Sequence, residues 1–279
     1  MNSKKNIFLF SIDLEDVRKL LPNEHLFAER VPLMVDQYLQ FLKSHQANCT
    51  FFTVGDQLRS YPDLIKKIIA NGHEIACHTN THLPLPNHTP KTFEADIEQF
   101  LESAHQLGIS NIAGFRAPVF SMTEKTSWAY AVLKKYGFSY SSSVLPAKSP
   151  LFGWPKFGAN FKLFDGIFEM PVTLHPFLKV PLAGGVYFRT LPFVFLSPFI
   201  KKIFKEGLPL QNYLHPYDID IEQEKFMHPG INNNKFFNYL MYYNRNKVFQ
   251  KLEKIIEMNV SLVTYQSYYT EMMKSNKNK

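Results

Sequence analysis

Apolar and polar positions in the first half of the chain alternate between the spacing of strands and the spacing of helices. Residues 7–12 form a short apolar run that ends in acidic residues, as expected of a buried strand, and residues 31–44 repeat apolar positions at helical spacing. Further strands are predicted at 50–55, 74–77 and 112–115, and further helices at 62–70, 92–108 and 123–136. This alternation predicts an α/β fold with a parallel sheet or barrel, in which the C-terminal ends of the strands converge and carry the chemistry.

The second half of the chain is less periodic. Residues 146–209 are rich in proline, phenylalanine and glycine, and they predict loops and short strands inserted on the face that carries the chemistry. Residues 236–258 predict a helix and residues 260–264 a last strand. Because no clear linker divides the chain, we expect one domain over residues 1–279.

The composition bounds the class of protein. A chain of 279 residues can bury a full core without disulfides, and the two cysteines, Cys49 and Cys77, lack the C-x-x-C spacing of a zinc knuckle or a redox motif. The apolar run at 7–12 is too short for a signal peptide, and no run approaches the roughly 20 apolar residues of a transmembrane helix. We therefore expect a cytoplasmic protein.

The charge distribution adds little to the prediction of the class of protein. A formal net charge of +7 suits an anionic partner, although a solvated basic surface is the commoner cause, and no nucleic-acid-binding motif is present. Residues 274–279 hold three lysines and are expected to form a basic tail beyond a core that spans about 7–265. The apolar run 191–200, which Lys201 and Lys202 follow, could contact an anionic membrane, but it favours a buried amphipathic helix of the fold.

A pair of histidines is the strongest local signal for a site. His78 and His82 are four residues apart and come directly after the strand predicted at 74–77. On a helical turn this spacing puts two imidazoles on one face, close enough to share a metal ion, and imidazole suits zinc and other divalent metals. Structural histidines also produce this spacing, so its position after a strand is what favours a metal site.

Three acidic residues, Asp13, Glu15 and Asp16, end the first predicted strand. One carboxylate would complete a metal centre with two histidines and leave positions open for water and substrate, while another would act as general base on that water. The structural alternative is a cluster of acids at the N-terminus of a helix, where negative charge is favourable.

Two more charged side chains end predicted strands. Arg116 follows the strand at 112–115, where an arginine can pair with a catalytic carboxylate and keep it ionised. His215 lies at a boundary between strand and loop, where a histidine can protonate a leaving amine. Taken separately, both are more often structural or surface residues, so the order of the four signals along the chain carries the argument.

In that order, these segments resemble the polysaccharide deacetylase family, also known as the NodB-homology or carbohydrate esterase family 4 enzymes. The resemblance is carried by the acids after the first strand, by H-T-x-x-H, by Arg116-Ala117-Pro118 and by Leu214-His215. The branch associated with bacterial exopolysaccharide and O-antigen gene clusters is the most similar one, through segments 115–121, 184–189 and 214–218. The resemblance covers roughly residues 7–265.

This resemblance implies a distorted (β/α) barrel of about seven parallel strands with loop insertions on the active-site face. It also implies a divalent metal, most often Zn²⁺ with Co²⁺, Ni²⁺ or Mn²⁺ as alternatives, held by His78, His82 and a carboxylate. We predict Asp16 as that carboxylate. Glu15 stays open as the alternative ligand, because strand alternation puts it on the same face as Asp13.

The other roles follow from the same resemblance. Asp13 is expected to be the catalytic base, oriented by Arg116, and His215 the general acid. Substrate contacts are expected from Pro118, Phe120, Tyr187 and Arg189. Related sequences supply an acid that tunes the catalytic histidine, but residues 140–144 hold serines in its place, so Asp218 is the candidate to replace that acid.

We expect the reaction to remove an N-acetyl group from a sugar of a bacterial surface glycan, or from its lipid-linked or nucleotide-linked precursor. That step would take place in the cytoplasm or at the inner face of the membrane. Two alternatives stay open. One is hydrolysis of a non-sugar amide, as in allantoinase-like relatives, and the other is a non-catalytic glycan-binding module that kept the fold.

Overall fold

The computed structural model describes residues 5–149, 151–175 and 184–277, and the chain divides into two compact units. The first unit comprises residues 5–49 and 184–263, and the second comprises residues 50–175 and 264–277. The expectation of a single domain over the whole chain stays a prediction.

Three parallel strands form the sheet of the first unit. Strand β1 pairs in parallel with β8, with Phe8 opposite Leu210, and with β9, with Asn6 opposite Val260. β1 is buried continuously over its last seven residues, as expected of a parallel strand covered on both faces. The strands are β1 Asn6–Leu14, β8 Leu210–Leu214 and β9 Val260–Val263, and the helices are α1 Val31–Ser44, α6 Gly185–Thr190, α7 Phe193–Lys205, α8 Lys235–Tyr242 and α9 Val248–Ile256.

The strands of the second unit follow the order β6-β7-β5-β4-β3-β2, in which every pair is parallel except β6 with β7. The strands are β2 Thr50–Thr53, β3 Glu74–Cys77, β4 Gly114–Phe115, β5 Tyr140–Ser141, β6 Lys162–Phe164 and β7 Ile167–Glu169. The helices are α2 Gly55–Ser60, α3 Pro62–Ala70, α4 Pro90–Gln106, α5 Ala129–Lys135 and α10 Tyr265–Lys277. Parallel ladders with intervening helices in both units confirm the predicted α/β class.

The weakly periodic segment is more helical than expected. The prediction of loops and short strands over 146–209 is wrong for α6 and α7. The apolar run at 191–200 lies mostly in α7, which buries Leu196, Phe199, Ile200 and Ile203, so the expectation of an amphipathic helix is confirmed. This i, i+3, i+4, i+7 pattern is what a helix needs to cover a sheet.

The helix predicted at 236–258 is two helices. Asn244 adopts a left-handed conformation with φ 57°, and this turn separates α8 from α9. Asparagine tolerates that conformation better than most residues, so it can end a helix without glycine. Among the described residues, no helix combines the length and apolarity needed to cross a membrane.

Candidate active site

The two histidines after β3 lie on a tight turn of the second unit that is not helical. His78 is buried, and its ring centroid lies 5.0 Å from that of His82. Thr79 and His82 both have positive φ, 64° and 57°, and the His82 N–H donates to Thr79 Oγ1 at 2.9 Å. The structure therefore brings the two imidazoles together as expected, but through left-handed residues instead of a helical turn.

The ring of His78 is oriented for coordination. Its Nδ1 lies 2.7 Å from the backbone oxygen of Arg116. Because a carbonyl oxygen only accepts hydrogen bonds, Nδ1 carries the proton and Nε2 carries the lone pair that a metal requires. A carbonyl partner of this kind fixes the tautomer and orientation of a metal-binding histidine.

A buried carboxylate on α4 holds the same turn in place. Asp96 accepts hydrogen bonds from the Asn80 N–H at 2.6 Å, and from the Thr81 N–H at 3.2 Å and the Thr81 hydroxyl at 2.6 Å. The sequence contains a signal for this role, because an acid stands among the buried apolar positions of α4, between Phe93 and Ile97. A buried acid needs such donors to offset the loss of hydration.

Arg116 follows β4 and is 1% exposed. Its guanidinium donates to the backbone oxygen and the hydroxyl of Ser142 and to the Tyr265 hydroxyl, each at 3.2 Å, and it lies 3.9 Å from the ring centroid of Phe52. Ser142, one of the serines that stand in place of the expected acid, thus binds Arg116. Ser143 extends this set, because its hydroxyl accepts from the Ala117 N–H at 2.9 Å.

The segment after Arg116 has a strained backbone. Val119 and Phe120 are consecutive residues with φ of 55° and 51°, a conformation that is costly for a β-branched side chain. Strain of this kind persists where the surroundings enforce it and is concentrated at functional sites. Pro118 is buried and Phe120 is partly exposed, so of these two expected substrate contacts Phe120 is the better placed to meet a ligand.

In the first unit, the three acids that end β1 differ in their environment. Asp16 caps the following turn and forms an ion pair with Arg18, whose Nε and terminal nitrogen donate to its two oxygens at 3.0 and 2.5 Å. The side chain of Asp16 is only 3% exposed. Glu15 lies 3.8 Å from His215, between Glu15 Oε1 and the ring Nε2, and Asp13 is 4% exposed.

His215 follows β8 and is held by a buried carboxylate. Its Nδ1 donates to Asp218 Oδ2 at 3.0 Å, and its backbone N–H donates to the same oxygen at 2.8 Å. The imidazole stacks on Tyr217, with ring centroids 4.6 Å apart. Asp218 therefore fixes the orientation of the His215 ring.

Arg189 binds the other oxygen of Asp218. Its Nε donates to Asp218 Oδ1 at 2.6 Å, and its terminal nitrogen donates to the backbone oxygens of Leu240 and Tyr243 at 3.0 and 2.8 Å. The side chain is 0% exposed. The expectation that Arg189 contacts substrate is therefore corrected: it supports Asp218. Tyr187, on the same short helix, is 43% exposed and stays available to a ligand.

These contacts change the protonation of the pair. Burial lowers the pKa of His215, but the hydrogen bond to Asp218 and the charges of Glu15, Asp218 and Asp13 outweigh it and raise the pKa to about 9. Burial raises the pKa of Asp218, but Arg189 and His215 outweigh it and hold that pKa well below its usual range. At neutral pH the histidine is thus a proton donor hydrogen-bonded to an ionised acid.

Two family models match the chain. Residues 27–141 match the family described as "Polysaccharide deacetylase", and residues 142–269 match the family described as "Domain of unknown function (DUF3473)".

Curated relatives match over short segments. A peptidoglycan-N-acetylglucosamine deacetylase from Bacillus cereus is 36% identical over 66 residues, which are 24% of this chain and 31% of the relative. A chitooligosaccharide deacetylase from Rhizobium leguminosarum bv. trifolii is 30% identical over 90 residues, or 31% of this chain and 42% of the relative. The chain thus spans less than half the length of these relatives.

Solved structures support the fold over nearly the full chain. A protein from Mycobacterium smegmatis, assigned as a polysaccharide deacetylase, aligns with a TM-score of 0.62 at 18% identity, covering 99% of this chain and 94% of its own. A carbohydrate esterase family 4 pseudoenzyme from Bacillus anthracis aligns with a TM-score of 0.52 at 10% identity, covering 95% of this chain and 66% of its own. The predicted NodB-like fold is confirmed, whereas activity has to be argued from the site. Residues 27–141 are thus similar to the polysaccharide deacetylase (NodB-homology, carbohydrate esterase family 4) family, and the chain shares its fold with the solved structures above.

Proposed function

We propose that this protein is a metal-dependent deacetylase that removes the N-acetyl group from a sugar of a bacterial surface glycan or of its lipid-linked or nucleotide-linked precursor. The observation that carries the proposal is the pair His78 and His82, with the tautomer of His78 set by a backbone carbonyl. The deacetylases among the curated relatives support an N-acetylated sugar as the substrate.

The metal ligands in this proposal are His78, His82 and Glu15, a donor set of two imidazoles and one carboxylate. Such a set suits Zn²⁺ and leaves coordination positions for water and substrate. We prefer Glu15 to Asp16, because Arg18 already occupies both oxygens of Asp16. A carboxylate with that ion pair would have to give up its partner in order to bind a metal.

A divalent ion at this position would polarise the acyl carbonyl and lower the pKa of the attacking water. Two residues of the chain then carry out the proton transfers. Asp13 accepts the proton of the water and is oriented for this by Arg116. His215 donates from Nε2 to the leaving amine, because Asp218 holds its Nδ1.

The test is acetate release from a panel of N-acetylated oligosaccharides, lipid-linked sugars and nucleotide sugars, with zinc restored after chelation. We expect metal-dependent release by the wild type and a loss of about 100-fold or more in His78→Ala and Glu15→Gln, because each removes a ligand. Asp16→Asn is the matched control. It should bind one equivalent of metal and retain activity, although it loses the ion pair with Arg18.

Two results would contradict the proposal. Release of ammonia or of an acid from small ureides, with none from any acetylated sugar, would indicate an enzyme for non-sugar amides. Stoichiometric metal binding by the wild type without turnover of any substrate would indicate a glycan-binding module. Equal metal loss in Asp16→Asn and Glu15→Gln would contradict the choice of ligand but not the activity.

A further inference from the structure

The second unit contains a cavity of about 780 Å³ apart from the residues proposed for catalysis. Its walls come from the loops that follow β3, β4 and β5, including Leu85, Thr126 and Phe152. None of the side chains assigned to metal binding or proton transfer lines it. A volume of this size lies within the roughly 300–1,000 Å³ typical of pockets that bind small molecules.

Both tryptophans of the chain, Trp128 and Trp154, line this cavity. Trp154 is 8% exposed and packs edge-on against Phe157, with ring centroids 4.9 Å apart, and Trp128 is partly exposed and packs against Phe93. Within the described part of the chain, neither indole N–H donates to a protein acceptor. Both indole N–H groups are therefore available to donate to a ligand or to water, beside the apolar rings that line the cavity.

The charged residues that line the cavity are mostly basic. Lys125, Lys148 and Lys156 line it and are exposed, whereas Glu124 is the one acidic residue among the lining side chains. The three lysines have no carboxylate partner among residues 5–149, 151–175 and 184–277. Ammonium groups without partners around an aromatic cavity complement a ligand that combines a ring face with negative charge.

We propose that this cavity binds an anionic saccharide, with a sugar ring against the indoles and a carboxylate or phosphate group towards the lysines. The apolar face of a sugar ring suits the aromatic wall, and its hydroxyl groups can accept from the indole N–H groups. The inference deepens the proposed function, since such a sugar would be a charged part of the deacetylated glycan. Binding at the cavity itself requires neither metal nor turnover.

Intrinsic tryptophan fluorescence reports on this cavity directly, because both tryptophans line it. The full chain, with its metal chelated, is titrated with a hyaluronan tetrasaccharide, with N-acetylglucosamine 1-phosphate and with neutral tetra-N-acetylchitotetraose. We expect a saturable change with at least one of the anionic probes, and which of them binds tells a carboxylate from a phosphate. The dissociation constant should rise about ten-fold between 0.05 and 0.5 M salt, because the lysines are exposed.

Charge reversal of two cavity lysines tests the assignment. Lys148→Glu/Lys156→Glu should weaken binding about ten-fold or more, since two charge-assisted contacts are lost. The matched control, Lys91→Glu/Lys201→Glu, reverses two exposed lysines that do not line the cavity and should bind like the wild type. Both variants change only exposed positions, so circular dichroism should confirm that they fold.

The proposal is overturned if neither anionic probe changes the emission, if the neutral tetrasaccharide binds as tightly as the anionic one, or if both lysine variants weaken binding equally. Because chelated protein is used, these outcomes are separate from those of the acetate assay. A saturable titration without acetate release would retain the cavity site and remove the deacetylase, and the reverse result would do the opposite.

Discussion

His215 depends on two side chains that touch neither metal nor substrate in the proposed mechanism. Asp218 holds the ring, and Arg189 supplies the buried counter-charge for Asp218, with both side chains 0% exposed. A buried pair of this kind contributes little net stability, but removing one partner leaves an uncompensated charge and typically costs about 3–5 kcal/mol. The role of Asp218 in orienting His215 can therefore be separated from its role in stability by substituting Asp218 alone or together with Arg189.

We expect Asp218→Asn to lower the free energy of unfolding by about 3 kcal/mol, because Arg189 keeps its charge without a partner. Arg189→Met/Asp218→Asn should recover most of that loss, since neither charge remains. Both variants should lower kcat for acetate release by about 10- to 100-fold, because His215 loses the acid that keeps it protonated and holds its ring. The measurements are thermal unfolding and kcat on the same preparations.

A double variant that recovers both stability and kcat would show that Asp218 serves folding alone. A double variant that stays as unstable as Asp218→Asn would mean that the carboxylate is needed for its hydrogen bonds to His215 more than for its charge. Leu210→Val, a conservative change within the buried strand β8, is the control for a general loss of packing in this unit.

The sequence indicated which residue types form the site better than it indicated what each of them does. His78, His82, Arg116 and His215 could be singled out because they end strands or follow a known order. Burial and ion pairing could not be deduced, so Arg189 was expected at the substrate although it lies inside the unit. Pairing depends on contacts between residues distant in sequence, which a pattern along one segment does not contain.

The short strand β4 shows how an element can depend on a missing side chain. A Cβ on Gly114 would lie 2.1 Å from Cζ of Tyr140, which is 0% exposed and pairs with Gly114 in the neighbouring strand. The Tyr140 hydroxyl donates to the buried carboxylate of Glu74. The ring cannot move away without breaking that hydrogen bond, so glycine is required at this position.

We expect Gly114→Ala to lower the free energy of unfolding by about 1–3 kcal/mol, the usual cost of overpacking a filled core. Tyr140→Leu should also destabilise, because Glu74 loses a donor. The double variant should be less destabilised than the sum of the two single variants, since the smaller side chain makes room for the Cβ. Chemical denaturation of all three variants measures this coupling, and strict additivity would show that the close approach is relieved elsewhere.

The alternation of strand spacing and helix spacing along the chain predicted most helices and strands. It did not predict the breaks and turns whose conformation is set by a single residue. The helix predicted at 236–258 breaks at Asn244, and the turn that carries His78 and His82 is left-handed. A single residue with positive φ does not change the hydrophobic spacing, because the apolar positions on both sides of it still have helical spacing. The hydrophobic pattern therefore does not predict turns that are formed by residues other than glycine and proline.

Acid stability of the complete chain should depend on one buried histidine in each unit. Burial lowers the pKa of His73 to about 4, and burial followed by the charges of Arg245 and Arg189 lowers the pKa of His228 to about 3. In the unfolded chain both histidines titrate near their ordinary pKa of about 6.5. The folded state therefore binds fewer protons than the unfolded state below that pH, and stability falls as the pH falls.

We expect His73→Gln/His228→Gln to flatten the dependence of unfolding free energy on pH between about 7 and 4. The wild type should lose on the order of 4 kcal/mol more than the variant over this window, most of it from His228, since solvent still reaches His73. Denaturant unfolding at each pH measures both slopes, and buried carboxylates contribute equally to the two proteins. His105→Gln, which changes an exposed histidine of α4, should follow the wild type. Parallel curves for the wild type and the double variant would mean that these histidines stay neutral in the unfolded chain as well, or take up protons without unfolding.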